Sequence, residues 1–241
     1  MYTPISVLLK SNSTKLTLNS VDKNILIELI NEPFIHLTSL CINRCYIKSK
    51  KMLFKDILEK LAMSNISNFS ISGYISYNNV VHLFDALSKF RYLKSLTLSI
   101  DSTDPQYTED LIKLLSKDKL TFFELDSKSF LNPELLNISQ IIAKTKLKKL
   151  IFRSLDDIEC EYNILDILKN NITIEEMPML NDGLKKLANR NKIIQYGIKK
   201  SVIIFIAIRR FRQGLMYLPQ EIIVMIAKYL YSTRAELVWL K

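Results

Sequence analysis

Apolar residues in this chain recur as a triplet, the second member three residues after the first and the third two after that. Leu93, Leu96 and Leu98 define it. Leu120, Phe123 and Leu125 repeat it 27 residues later, Leu147, Leu150 and Phe152 follow at the same interval, and Ile174, Met177 and Met179 come after another 27. In the other direction stand Ile66, Phe69 and Ile71, again 27 residues away, then Leu37, Leu40 and Ile42, 29 earlier. Leu16 and Leu18 open the series, with Ser13 in the first apolar place. Seven copies at a nearly constant period are the mark of a stacked repeat architecture.

The last two members of each triplet alternate with a third residue, which is the period of a strand. Leu96 and Leu98 therefore face inward and Thr97 faces the other way. Between triplets the period lengthens. Val80, Leu83, Phe84 and Leu87, then Leu111, Leu114 and Leu115, then Leu135, Ile138, Ile141 and Ile142 are spaced for one helical stripe each, and Ile164, Leu165, Ile167 and Leu168 continue the series. A single strand and helix cannot bury such a stripe, so the stack is the folding unit. Asp104-Pro105 and Asn132-Pro133 precede helices, with Asn132 expected as N-cap and Pro133 at the first helical position; Asp22 and Asn78 are expected to cap likewise.

The triplets stop near residue 180. Leu184 and Leu187 fit a last repeat helix that Asn189-Arg190-Asn191 is expected to end. A separate helix over 192–213 then caps the open end of the stack, burying Ile193, Val202 and Phe205. Gly214 breaks it, and a further segment begins at Leu218. The expected division is thus 1–190, 191–213 and 214–241.

This pattern resembles the leucine-rich repeat family, and a repeat containing a whole helix resembles its ribonuclease-inhibitor type. Asn171-Ile172-Thr173-Ile174-Glu175-Glu176-Met177 is the nearest match to the N-x-T-L-x-x-L with which that type begins a repeat, and Leu37, Leu40, Ile42, Cys45 and Ile47 carry the fuller motif. The resemblance covers about residues 13–190. It implies an α/β solenoid of about seven strand–helix repeats with a curved parallel sheet, followed by C-terminal helices. The residues between the inner apolar positions would line the concave face: Thr17, Cys41, Ser70, Thr97, Glu124, Ile151 and Pro178, flanked by Asn19, Asn43, Ser72, Ser99, Asp126, Arg153 and Leu180. Solenoids bind targets on such faces, so Thr97, Ser99, Glu124, Asp126, Ile151 and Arg153 are the expected target-binding residues.

Leu218-Pro219-Gln220-Glu221-Ile222-Ile223-Val224-Met225-Ile226-Ala227-Lys228-Tyr229-Leu230 reads physically as a short amphipathic helix. Pro219 stands early, Glu221 lies in the first turn where the macrodipole favours an acid, and Ile222, Ile226, Tyr229 and Leu230 form a stripe. The same stretch resembles the opening of an F-box, shortened because only Tyr231 to Lys241 follow. In that family these positions dock the Skp-type adaptor of a cullin ubiquitin ligase, which assigns adaptor contact to Leu218, Pro219, Ile222, Ile223, Ile226 and Leu230. Repeat proteins of large DNA viruses with shortened C-terminal F-box-like segments are similar. Ile203 to Arg212 together with Leu218-Pro219 and Tyr229-Leu230 also resembles a SOCS box, which recruits elongin. On either resemblance the chain is a substrate-recruiting adaptor, with Leu218, Pro219, Ile222 and Ile226 exposed in the free protein. The alternative is a plain repeat scaffold whose last helices only cap it.

Composition narrows the alternatives. The 241 residues carry a net charge of +10, but it is not evenly spread. Residues 181–241 hold twelve Lys and Arg against three Asp and Glu, a balance of +9, while 1–180 are nearly neutral at +1. A basic quarter can attract nucleic acid or an acidic surface. Its basic residues alternate with apolar ones on helix faces, and no nucleic-acid module is present, which argues against nucleic acid. Three cysteines (Cys41, Cys45, Cys160) suit a reducing compartment, and with His36 and His82 they show no metal-ligand spacing. No phosphate loop, G-x-S-x-G or H-E-x-x-H occurs, and the acids around Asp156-Asp157 and Glu159-Cys160-Glu161 sit where a helix start attracts them. A binding protein without enzymatic activity, metal or cofactor is expected. No secretory segment opens the chain and no apolar run is long enough for a membrane span. The expected location is the cytoplasm (the host's, if the viral likeness holds), with the nucleus also accessible.

Overall fold

The computed structural model describes residues 14–19, 36–47, 51–101, 105–126, 131–153, 158–169, 171–177, 182–211, 221–222, 224–226 and 228–229. Within them the triplets become strands: β1 (Lys15–Asn19), β2 (Ser39–Ile47), β3 (Asn68–Ile75), β4 (Ser95–Asp101), β5 (Phe122–Asp126) and β6 (Lys149–Arg153). All pair in parallel, and the sheet order is the chain order, β1 to β6, each strand adding to the same edge. Helices alternate with the strands: α1 (Lys51–Ala62), α2 (Tyr77–Lys89), α3 (Pro105–Leu115), α4 (Asn132–Ile142), α5 (Ile158–Leu168) and α6 (Asp182–Phe211). Each helix packs on its sequence neighbour, as each strand pairs with its own.

The recurring triplet keeps the ladder in register. Leu16, Leu40, Phe69, Leu96, Phe123 and Leu150 lie side by side across the sheet, and Leu18, Ile42, Ile71, Leu98, Leu125 and Phe152 form a second row. All twelve are buried, together with the helix stripes, in one continuous core. The residue before each strand staples the stack. The Ser67 carbonyl accepts from Lys94 N (2.8 Å) and Ser95 N (2.9 Å), and that of Lys94 accepts from Thr121 N (2.8 Å) and Phe122 N (3.1 Å). The carbonyls of Thr121 and Lys148 do the same one and two repeats on. Each uses both lone pairs on the next repeat.

The structure corrects four expectations. Among the described residues the seventh triplet contributes one bridge, Lys149 to Glu176, and the sheet has six strands; Ile174 and Met177 are nevertheless buried like their counterparts, and Met179 lies outside the described residues. Helix α4 starts one residue early. Leu131 is its N-cap, Asn132 its first residue, and Glu134 accepts the Leu131 N–H at 2.9 Å. Helix α2 is preceded by Ser76, which puts Asn78 inside the first turn rather than at the cap; Asn79 instead donates to Ser76 Oγ at 3.0 Å. Asp22 and Asp104 lie outside the described residues.

The fourth correction matters most for function. No break occurs at Asn189-Arg190-Asn191, and α6 runs on unbroken. The phase set by Leu184 and Leu187 continues through Ile194 and Ile198, which are buried against Ile172 with Val202 half-buried beside them. That phase turns Ile193 outward, 71% exposed, where the expectation was burial. The side chain of Phe205 lies outside the described residues.

Candidate functional site

One face of the sheet is the core; the other is open. Strand parity places on it a central row, Thr17, Cys41, Ser70, Thr97, Glu124 and Ile151, in unbroken register. Asn19 pairs Asn43, Ser72 pairs Ser99, and Asp126 pairs Arg153 in a second row, so the six residues expected to meet a target stand together. Sequence reasoning missed a third row of the same parity, Lys15, Ser39, Asn68, Ser95, Phe122 and Lys149. Extending the alternation one residue back from the second apolar position would have found it.

The open face has two halves. Over β1 to β4 its rows hold hydroxyl, amide and thiol side chains, with Lys15 at the edge. They bond along and between the rows: Asn43 Nδ2 donates to Asn19 Oδ1 at 3.0 Å, and Cys41 Sγ to Asn43 Oδ1 at 3.2 Å. Over β5 and β6 the face turns to charge and bulk. Glu124 is buried although it points to the open side, because Arg153 Nε donates to its Oε1 and Thr97 Oγ1 to its Oε2 at 3.3 Å. Arg153 itself remains largely in solvent. Ser99 Oγ donates to Asp126 Oδ2 at 3.0 Å. Beside them Lys149 Nζ reaches Glu176 Oε2 at 2.9 Å and stands 5.6 Å from the Phe122 ring centre. Its ammonium holds the Glu176 carboxyl below the usual carboxylate range.

A bulge bends this face between β2 and β3. Ile42 pairs Ile71, but Cys45 pairs Gly73, so β2 carries one extra residue. Arg44 takes it up at φ 53, exposed on the surface, with its N–H donating to Ser72 Oγ at 3.3 Å.

At the far end of the stack, the turn of the last triplet is held by buried amides. Asn171 Nδ2 donates to Ala143 O at 3.1 Å while its Oδ1 accepts from Thr173 N at 2.8 Å and Ile174 N at 3.1 Å. Asn191, from the middle of α6, donates to Asn171 O (2.9 Å) and Ile174 O (2.8 Å), and Gln195 to Ile172 O (2.8 Å). Arg190 donates to Asn171 O at 3.0 Å and to Asn191 Oδ1 at 2.8 Å, and its burial lowers its pKa. These side chains satisfy carbonyls that no further strand among the described residues reaches.

Residues 221–222, 224–226 and 228–229 are helical. Ile222 is 38% and Ile226 36% exposed, as expected, and Met225 and Tyr229 are exposed with them. Leu218, Pro219, Ile223 and Leu230 lie outside the described residues. Among the described residues no three His, Cys, Asp or Glu side chains stand together as metal ligands, and no helix is long and apolar enough to cross a membrane. No protein-family model matches the chain, and no curated protein matches it by sequence.

Proposed function

We propose that the chain is a leucine-rich repeat protein that recruits a protein target to a ubiquitin ligase: the open strand face holds the target, and the C-terminal helical segment docks a Skp-type adaptor. Two features support a solenoid over a doubly wound sheet. The strand order never reverses, whereas a doubly wound sheet has a switch point. One face of the sheet is buried and the other open, whereas a doubly wound sheet is covered on both. A solenoid offers its open strand face as a binding surface. The chain acts as a binding protein in the cytoplasm.

The observation that carries the ligase half is the exposed apolar stripe of Ile222, Met225, Ile226 and Tyr229. The stack does not require it, because the first half of α6 already closes the end through Leu184, Leu187, Asn191, Ile194 and Gln195. An apolar helix face left in solvent is what a helix-in-groove partner uses. The test is co-purification of tagged full-length protein from cells with Skp-type adaptor or elongin. Wild type is expected to retain the Skp-type adaptor. Leu218→Ala with Pro219→Ala, or Ile222→Ser with Ile226→Ser, is expected to lose it without a change in melting temperature. Capture of elongin instead would assign the SOCS-like reading, and capture of neither would leave a plain repeat scaffold.

A further inference from the structure

Helix α6 presents to solvent a face that the stack leaves open. Ile193, Tyr196 and Ile203 are 71%, 69% and 67% exposed, on a helix whose opposite face is locked to the last repeat. Scattered apolar residues on a surface are ordinary, but these fall on one line. Ile193, Tyr196, Lys200 and Ile203 follow at intervals of three, four and three residues, which is the seam spacing by which one helix meets another. Lys192 and Lys199, one heptad apart and exposed, flank the seam, and Lys200 sits within it. Asp182, near Lys185 at the first turn, is the sole carboxylate in the α6 sequence.

We propose that this face docks an amphipathic helix of an acidic partner protein. Ile193, Tyr196 and Ile203 pack into the partner's apolar stripe, while Lys192, Lys199 and Lys200 meet its carboxylates. Charge selects this occupant over others. A second copy of the chain would bring the same lysines face to face, and like charges across a helix pair repel. An anionic lipid surface takes up a wide apolar face with lysines along its margins, whereas this seam is one side chain wide and has a lysine in the middle. Ile193, Tyr196, Lys192, Lys199 and Lys200 belong neither to the open strand face nor to residues assigned to adaptor contact, so the test below reads this surface apart from the ligase reading.

The test titrates full-length protein with a synthetic helical peptide of about three heptads, with Leu at the seam positions and Glu at the flanks. Glutamate repulsion keeps the peptide from pairing with itself. The same peptide with Lys at the flanks, and vesicles of phosphatidylserine in phosphatidylcholine, serve as the other arms. The acidic peptide is expected to bind, more weakly as salt rises, and the basic peptide and the vesicles are expected not to. Ile193→Ser, Tyr196→Ser and Ile203→Ser together should weaken binding at least about tenfold. Lys192→Glu with Lys199→Glu should shift preference to the basic peptide. All these positions are exposed, so melting temperatures should hold; the single change Tyr196→Ser, with a several-fold loss, gives the same readout should the triple variant melt early. Failure of wild type to bind the acidic peptide overturns the proposal. So does binding that survives the serine replacements, which would be charge attraction alone, and so does a preference for the vesicles over the peptide.

Discussion

At Gly73 the backbone has φ 123, and a Cβ there would stand 2.3 Å from the Cys45 carbonyl oxygen and 2.7 Å from its nitrogen. Both obstacles are backbone, so neither can swing aside. Gly73→Ala should therefore lower stability by about 1–3 kcal/mol from the strained dihedral alone, with the clash adding to it, and urea melts would show it. An unchanged midpoint would mean that β2 and β3 do not meet through this bulge. Cys45, on the other strand of the bulge, gives a second residue-scale expectation. Burial pushes its thiol from about 9 up to about 12. The folded state thus holds a proton that the unfolded state releases once pH passes about 9. The contribution of this site to stability is full below that pH and declines as pH rises towards 12. At pH 8.5 iodoacetamide should label half-buried Cys41 in the native protein and reach Cys45 and Cys160 only after denaturation. Fast labelling of Cys45 would contradict its burial.

Helix α6 carries the main lesson at the scale of elements. The stripe of Leu184 and Leu187 was legible, but Asn189-Arg190-Asn191 reads as a stop only if polar residues are taken as surface. Neither Gly nor Pro stands among Asn189, Arg190 and Asn191 to end the helix, and the amide of Asn191 has buried carbonyls to meet, so the helix continues. Those carbonyls come from a turn whose own sequence was legible as a motif, Asn171 to Met177; what lay beyond reach was the pairing of two segments 20 residues apart. The caps were misplaced by one or two residues for a related reason. Asn132 and Asn78 are good cap residues, yet Leu131 and Ser76 hold the extended backbone that a cap requires, so position decided over propensity. Asn191→Ala would take that donor from the Ile174 carbonyl in a buried site, while the Asn171 carbonyl keeps Arg190. The expected cost is about 1–3 kcal/mol, the range for one buried polar group left unpaired. Asn191→Leu should be no better, because size is not what is lost. Hydrogen exchange should show faster opening of residues 182–202 in either variant, and equal protection in mutant and wild type would show that the amide lock does not hold the helix.

Across the whole molecule, the recurring triplet sufficed to place each strand's partner in advance, because the neighbour in the sheet is the neighbour in sequence. Thr97, Glu124 and Ile151 could be placed side by side on that ground alone. The charges were not so legible: that Glu124 is buried under Arg153 depends on side-chain reach across two strands, which no period encodes. The same nearest-neighbour order makes a prediction about how the molecule comes apart. Leu96 is fully buried at the middle of the inner row, between Phe69 and Phe123. Leu96→Ala removes a buried side chain that cannot be replaced by rearrangement of distant elements, and should cost about 2–5 kcal/mol. A globular core would spread that loss over all amides. Here the strong contacts run from β3 to β4 to β5, and from each helix to the next, so the loss should fall off along the chain. Native-state hydrogen exchange should show the largest loss of protection in β3, β4 and β5, a smaller one in β2 and β6, and the least where Asn191 holds α6 to the last turn. Uniform loss over the whole chain would mean that the repeats unfold as one unit rather than as coupled neighbours.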